Sequence, residues 1–244
     1  MKDRSDSRAR RTALITGASR GLGLELSREL ARRGWNLVID ARGGDALEAA
    51  AGELAPLTNV TALAGDVNDD RHLAELTSAA AAYGGLDLVV NNAGMLGPSP
   101  QPTLLEYPLD VLARVYQTNV VAPLAVLQHA HHLLRPGAAT VINVTSDAAV
   151  EAYGGWGGYG SSKAALEVIS AVLAVENPGL RFYWVDPGDM RTRMQEEAFP
   201  GEDISNRPLP EESIAGFMEL IEGRLPSGRY AARDLRPVGV GGVS

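Results

Sequence analysis

The sequence contains no cysteine, and only two of its 22 basic residues are lysine: Lys2 and Lys163. The missing thiols exclude disulfides, thiolate nucleophiles and cysteine-held zinc or iron–sulfur centres, and they accord with a reducing cytoplasm. No apolar run is long enough to span a bilayer. A surplus of positive charge is also missing, since the net charge is −8 over 244 residues. The only basic cluster is Lys2, Arg4, Arg8, Arg10 and Arg11, which makes the first dozen residues net positive against Asp3 and Asp6. An acidic chain of this kind is a poor nucleic-acid partner. The basic segment lacks the apolar stretch of a secretory signal, so residues 1–11 are expected to form a disordered arm.

The remaining sequence alternates strand-like apolar runs with helical patterns. TALIT ends in a glycine-rich turn, and Leu22, Leu26 and Leu30 then recur at helical spacing up to Gly34. WNLVID, NVTALAG, LDLVVN, ATVINVT and RFYWVD read as further strands. LDLVVN is apolar throughout, as expected where both faces of a sheet are covered. Helices are expected over 44–54, 69–82, 109–134, from about 159 to 176, and 211–222. Repeated β-α units with short connections predict an α/β fold, a Rossmann-like doubly wound parallel sheet in three layers and a single domain over 12–235. Residues 189–210 form a long irregular insert, and 189–222 as a whole is expected to be a substrate-loop or lid region. GRYAARDL is hard to recognise as a strand, and 236–244 reads as a loose tail.

The first βα junction, TGASRGLG, spaces its glycines as Gly17-x-x-x-Gly21-x-Gly23. Such a turn lets a pyrophosphate approach the backbone at a helix N-terminus, although it could also be only a tight turn. There is no G-K-[ST] sequence, which argues against a nucleotide triphosphatase. The second strand ends at Asp40, followed by Ala41 and Arg42, with Arg20 in the turn. Two arginines suit a ribose 2′-phosphate and so NADP(H) over NAD(H); Asp40 is the counter-argument.

Ser146 follows ATVINVT at the carboxyl end of its strand, and Tyr159 and Lys163 are four residues apart on one helical face. A tyrosine near an ammonium can move protons, and a nearby serine hydroxyl can bond a carbonyl oxygen. The alternative is an ordinary surface tyrosine and lysine. His129, His131 and His132 lack a completing carboxylate in the sequence, so no metal site is expected. Core packing is expected for Phe182, Tyr183 and Trp184, while Trp156 is the better candidate for a pocket wall.

Taken in order, TGASRGLG, Asp66-Val67, NNAG (91–94), Asn119 in QTNV, Ser146, YGSSK (159–163) and Pro187-Gly188 with Thr192 resemble the short-chain dehydrogenase/reductase family over about residues 10–235. The resemblance implies an enzyme that interconverts a carbonyl and a secondary alcohol with a nicotinamide cofactor. It implies Tyr159 as the acid or base and Ser146 as the residue that orients the carbonyl. Lys163 would bind the nicotinamide ribose and lower the tyrosine pKa, and Asn119 would hold a water that leads to Lys163. It places Gly17, Ser19, Arg20, Gly21, Leu22 and Gly23 at the cofactor, with Arg42 beside the 2′-phosphate. Asp66 and Val67 would meet the adenine, and Asn92, Ala93 and Gly94 would line the cofactor. Pro187, Gly188 and Thr192 would contact the nicotinamide end. It also implies a homodimer or homotetramer built on the 109–134 and 159–176 helices. Asp147, directly after the serine, departs from the family's small residue, and the glycine-rich 154–158 loop presents Trp156. A non-catalytic NADP(H)-binding sensor or scaffold on the same fold is the alternative. An epimerase or dehydratase is disfavoured by the short substrate region.

Overall fold

The computed structural model describes residues 10–235. The basic arm up to residue 9 and the tail from 236 lie outside the described residues. Arg11 is already part of the fold: its guanidinium stacks on Trp35 at 4.1 Å, and its carbonyl accepts from the Asn36 amide at 2.8 Å. The expected arm is therefore too long at its inner end.

Seven strands form one parallel sheet: β1 (Thr12–Ile15), β2 (Asn36–Ala41), β3 (Val60–Ala64), β4 (Leu88–Asn91), β5 (Thr140–Val144), β6 (Arg181–Asp186) and β7 (Gly228–Ala231). Their spatial order is β3-β2-β1-β4-β5-β6-β7. The chain winds outward from β1 one way to β3, then crosses to β4 and winds the other way. The carboxyl ends of β1 and β4 therefore part at a crevice, where open α/β sheets bind their ligands.

Alternation along the strands sorts the two cores. Ala13, Ile15, Leu37, Ile39, Leu88 and Val90 face one side, where they meet Leu22, Leu26 and Leu30 of α1 (Gly21–Arg32). Leu47 and Leu54 of α2 (Gly44–Leu54) and Phe217 and Leu220 of α8 (Glu211–Glu222) join them. Leu14, Val38, Val89 and Val141 face the other side. There they meet Leu73, Leu76 and Ala80 of α3 (Asp70–Ala82) and Val126, Leu127 and Ala130 of α5 (Ala122–Ala130). Each fully buried leucine contributes about 1.5–3 kcal/mol relative to exposure, so both layers hold the central strands firmly. With both faces covered, the strands need continuous apolar runs rather than alternating polarity.

Three local features differ from the sequence expectation. The helix expected over 109–134 is broken into α4 (Leu109–Tyr116), a π-helical turn (Gln117–Val121), α5 and a 3₁₀ turn (His131–Leu133). The insert after β6 is not wholly irregular, because Thr192 caps a short α7 (Arg193–Ala198) by accepting from the Gln195 amide. The unrecognised final segment is β7, paired with β6 in the register Trp184↔Arg229. α6 spans Gly157–Glu176 and so begins two residues before Tyr159.

Candidate active site

A cavity of about 880 Å³ runs along the carboxyl ends of β1, β2, β4, β5 and β6. At one end lies the glycine-rich turn. Gly17 has φ +67° and Gly21 φ +55°, conformations that glycine adopts without strain. A Cβ at Gly17 would stand 2.9 Å from Ala93 Cα, and one at Gly23 would stand 2.6 Å from Asn92 Nδ2. The turn and the NNAG segment therefore interlock. Asn92 Nδ2 donates to the carbonyls of Thr16 and Gly17, and Thr16 Oγ1 accepts from the Asn92 and Ala93 amides.

α1 enters this cavity with its N-terminus open. Its N-cap, Arg20, offers no capping side chain, and its first turn carries no acid. The unpaired amides and the positive end of the helix dipole suit an anion, so the residues present fit a pyrophosphate. Ser19, Gly21 and Leu22 line the cavity there, and Gly23 lies behind them. Exposed Arg20 and Arg42 line the neighbouring end with Asp66 and buried Val67. Asp40 is 1% exposed. Its Oδ1 accepts from the Gly17 amide at 2.9 Å, and its Oδ2 lies 3.1 Å from His72 Nε2.

At the far end, Ser146, Tyr159 and Lys163 converge on the cavity floor. Ser146 lies just past β5, and the other two project from the first turns of α6. Tyr159 is 7% exposed and Lys163 4%. Lys163 Nζ donates to the Val144 carbonyl at 2.8 Å and stands 5.5 Å from the Tyr159 ring centre. Burial lowers the lysine pKa to about 8. The phenol moves the opposite way: burial raises its pKa, and the nearby carboxylates of Asp186 and Asp147 add to the rise, against a hydrogen bond from Ser146.

Ser146 Oγ donates to Asp147 Oδ1 at 2.9 Å and accepts from the Ala148 amide at 3.2 Å. Asn119 is fully buried and lies behind the cavity wall. Its Oδ1 accepts from the Met95 amide at 2.8 Å, and its Nδ2 donates to the Met95 carbonyl and to Ser162 Oγ, both at 2.9 Å. Asn119 sits in the π-helical turn, a feature common at functional sites. A Cβ placed on Gly94 would lie 3.5 Å from Asn119 Oδ1 and 3.8 Å from Lys163 Nζ. Glycine there leaves a space that both polar groups border.

Leu96, Ala148 and Tyr159 form an apolar wall, with Trp156, Met194 and Ala198 packed on it. Trp156 meets Tyr159 edge-on at 5.9 Å and Phe199 at 5.7 Å, joining the α6 entrance to the insert after β6. Its place at the pocket agrees with the sequence expectation, as do buried Phe182 and Tyr183, whereas Trp184, also expected in the core, is only half-buried. Side chains at Gly157 and Gly158 would overlap Leu104 and Tyr107, which accounts for these two glycines of the run. Pro187, Gly188 and Thr192 line the same wall.

The sequence reading missed Asp186, which is 5% exposed and lines the cavity, and Arg229, which touches the Ser146 backbone from β7. Asp186 immediately precedes Pro187-Gly188, a signal that was available; Arg229 had none. His129 pairs with Asp70 Oδ1 at 2.7 Å, and no metal-binding cluster occurs among the described residues. No helix among the described residues is long and apolar enough to cross a membrane.

The sequence profile of the short chain dehydrogenases matches residues 11–203. A 1-deoxy-11-beta-hydroxypentalenate dehydrogenase of Streptomyces exfoliatus is 36% identical over 190 residues, 75% of this chain and 69% of that protein. The rhamnolipids biosynthesis 3-oxoacyl-[acyl-carrier-protein] reductase of Pseudomonas aeruginosa is 34% identical over 235 residues, 92% of this chain and 85% of that one. Among solved structures, a short chain dehydrogenase of Shigella flexneri complexed with NADP superposes with a TM-score of 0.83 at 28% identity, covering 91% of this chain and 97% of that one. The sheet order, the glycine-rich crevice and these matches agree: the chain belongs to the short-chain dehydrogenase/reductase family of NAD(P)-dependent oxidoreductases.

Proposed function

We propose that this protein interconverts a carbonyl and a secondary alcohol, with NADP(H) as its preferred cofactor. The observation that carries the reading is the convergence of Ser146, Tyr159 and Lys163 on the floor of the cavity that also opens onto the α1 N-terminus. When bound, the dinucleotide supplies or accepts the hydride. The α1 amides hold its pyrophosphate, and Gly17, Ser19, Gly21 and Leu22 let it approach, with Gly23 packing the turn from behind. Arg20 and Arg42 face the 2′-phosphate. Asp66 and Val67 border the adenine, while Asn92, Ala93, Gly94, Pro187, Gly188 and Thr192 line the path to the nicotinamide.

Tyr159 is the proton donor in reduction and the acceptor in oxidation. Its hydroxyl is a neutral phenol at neutral pH and so carries a proton to donate to a developing alkoxide. Ser146 bonds the substrate oxygen, exchanging its donor contact with Asp147 for one with the carbonyl. Lys163, charged at neutral pH with its pKa near 8, binds ribose hydroxyls and passes protons toward Asn119. The wall of Leu96, Trp156 and Met194 excludes water from this floor. Exposed Val168, Val172 and Val175 on α6, with Leu105 and Leu109 near α4, supply the apolar face of a homodimer or homotetramer. A cysteine-free chain of this kind suits the cytoplasm.

The deciding experiment is Tyr159→Phe, assayed by NADPH absorbance over a panel of aliphatic and aryl ketones and aldehydes. Turnover should fall by about 10²–10⁴-fold while NADPH binding, read by fluorescence, is retained. Unchanged turnover would overturn the reading. Tight NADPH binding by the unmodified protein, without turnover of any panel member, would point instead to a sensor.

A further inference from the structure

The last strand carries a side chain that reaches the reaction centre from behind. Arg229 Nη2 donates to the Ser146 carbonyl at 3.2 Å and lies 3.7 Å from Asp186 Oδ2. Its Nε donates to Glu167 Oε1 at 3.0 Å, and the same oxygen accepts from Thr145 Oγ1 at 2.7 Å. One guanidinium therefore joins four elements: β7, the peptide after β5, the end of β6 and α6. The Arg229 side chain is 29% exposed, while its two carboxylate partners are only 12% and 6% exposed.

We propose that Arg229 is a positioning residue for the reaction: it fixes the Ser146 peptide and balances the charge of Asp186 next to Tyr159. The proposal rests on the catalytic reading of Ser146 and Tyr159 given above. A planar fork with several fixed donors suits this task, because it can hold a carbonyl and a carboxylate at set angles. Burial pushes the Asp186 carboxyl upward, and the Asp147 charge adds to the push. Arg229, Arg233 and the Gly188 amide pull it back toward the ionised form. Four groups bear on the Tyr159 hydroxyl and ring: Asp186 from β6, Asp147 and Ser146 from the segment after β5, and Lys163 from α6. Arg229 touches two of these four and carries the charge opposite to Asp186. Its loss leaves the Ser146 carbonyl with the Ala149 amide, at 3.1 Å, as its one remaining donor, and leaves the neighbouring carboxylate without its closest counter-charge.

The test follows Asp186 by carbon-13 carboxyl NMR titration, with its signal assigned through Asp186→Asn, in a protein that needs neither substrate nor cofactor for the measurement. In Arg229→Gln the Asp186 titration should move upward by about one pH unit or more; in Arg229→Lys it should stay near its original place. In the carbonyl assay, kcat of Arg229→Gln should fall about tenfold with NADPH affinity unchanged, because a misplaced serine weakens the chemical step rather than cofactor binding. Arg229→Lys, which keeps the charge and loses the fork, should show a smaller fall in kcat. An Asp186 titration that does not move in Arg229→Gln, or a kcat equal to that of the unmodified protein, overturns the proposal. If Arg229→Gln does not fold, Arg229→Lys decides alone: a reduced kcat with an unmoved Asp186 supports the role, and an unreduced kcat ends it. Failure of the catalytic reading looks different, since Tyr159→Phe would then turn over normally whatever Asp186 does.

Discussion

The Gly17 amide donates to Asp40 Oδ1 at 2.9 Å, and this contact turns the acid at the end of β2 into a brace for the glycine-rich turn. The second oxygen is also occupied, by His72 at 3.1 Å. Both oxygens lie in the interior, so Asp40 has no free face toward a ribose. The acid that argued for NAD(H) is thus part of the scaffold, and the residue that follows it in the strand, Ala41, bears no polar group.

The brace should make stability depend on pH through His72. Its pKa is raised, first by the hydrogen bond to Asp40 and further by the charges of Asp40, Glu75 and Asp69, against the opposing effect of burial. A raised histidine stabilises the fold fully below its unfolded pKa of about 6.5, and that contribution is lost as pH rises through the folded value. Denaturant midpoints measured from pH 5 to 9 should therefore decline across that window. The decline should vanish in His72→Gln; a variant with the same slope would show that the pair does not titrate.

Arg42→Ala should separate the two cofactors. Charge-assisted hydrogen bonds contribute about 1.5–3 kcal/mol, so NADPH affinity should fall roughly tenfold or more. NADH, which lacks the phosphate, should bind almost as before. Fluorescence titration with both cofactors gives the comparison, and equal losses for the two would remove Arg42 from the phosphate site.

Two glycines of the site should respond in opposite ways to an added methyl. Gly94→Ala places its Cβ at ordinary contact distance, 3.5 Å from Asn119 Oδ1 and 3.8 Å from Lys163 Nζ. The protein should melt near its original temperature and, with Gly94 lining the cofactor as proposed, lose about tenfold in NADPH affinity, since the methyl narrows the space that Asn119 and Lys163 border. Gly23→Ala meets Asn92 Nδ2 and the Gly17 carbonyl, both at 2.6 Å, and neither can withdraw without opening the turn. Its melting temperature should drop. Calorimetry alongside fluorescence separates the two cases, and a Gly94→Ala protein with full affinity would place the cofactor elsewhere.

Much of this arrangement was legible from the sequence because it depends on local pattern. Continuous apolar runs announce strands covered on both faces, and Leu22, Leu26 and Leu30 announce the buried stripe of α1. Tyr159 and Lys163 are one helical turn apart, so their shared face followed from spacing alone. What stayed hidden depends on contacts distant in sequence. β7 has no apolar run, since all four residues are only half-buried, and it exists by pairing with β6. Arg229 and Ser146 are 83 residues apart, and nothing in either segment marks the other. The break in the helix around Asn119 did leave a signal in Pro123, which sits inside the expected helix and cannot donate to the carbonyl four residues back, that of Asn119. The raised phenol of Tyr159 was hidden because burial, its first cause, exists only in the folded site, and the acids that add to it, Asp186 and Asp147, belong to segments far apart in sequence.

The π-helical turn also constrains how this chain can vary in length. It accommodates one residue more than an α-helical turn would, and an α-helix advances about 100° per residue. Deleting one residue between Gln117 and Val121 would turn it into an ordinary α-helical turn and leave α4 and α5 close to their present register. The loss would be local, with Asn119 turned away from Met95 and Ser162, whereas an insertion or deletion beside the turn would rotate Val126 and Leu127 out of the core. Insertions and deletions should therefore be purged from this short stretch and accumulate instead in the 189–210 segment, which can lengthen without turning any helix about its axis.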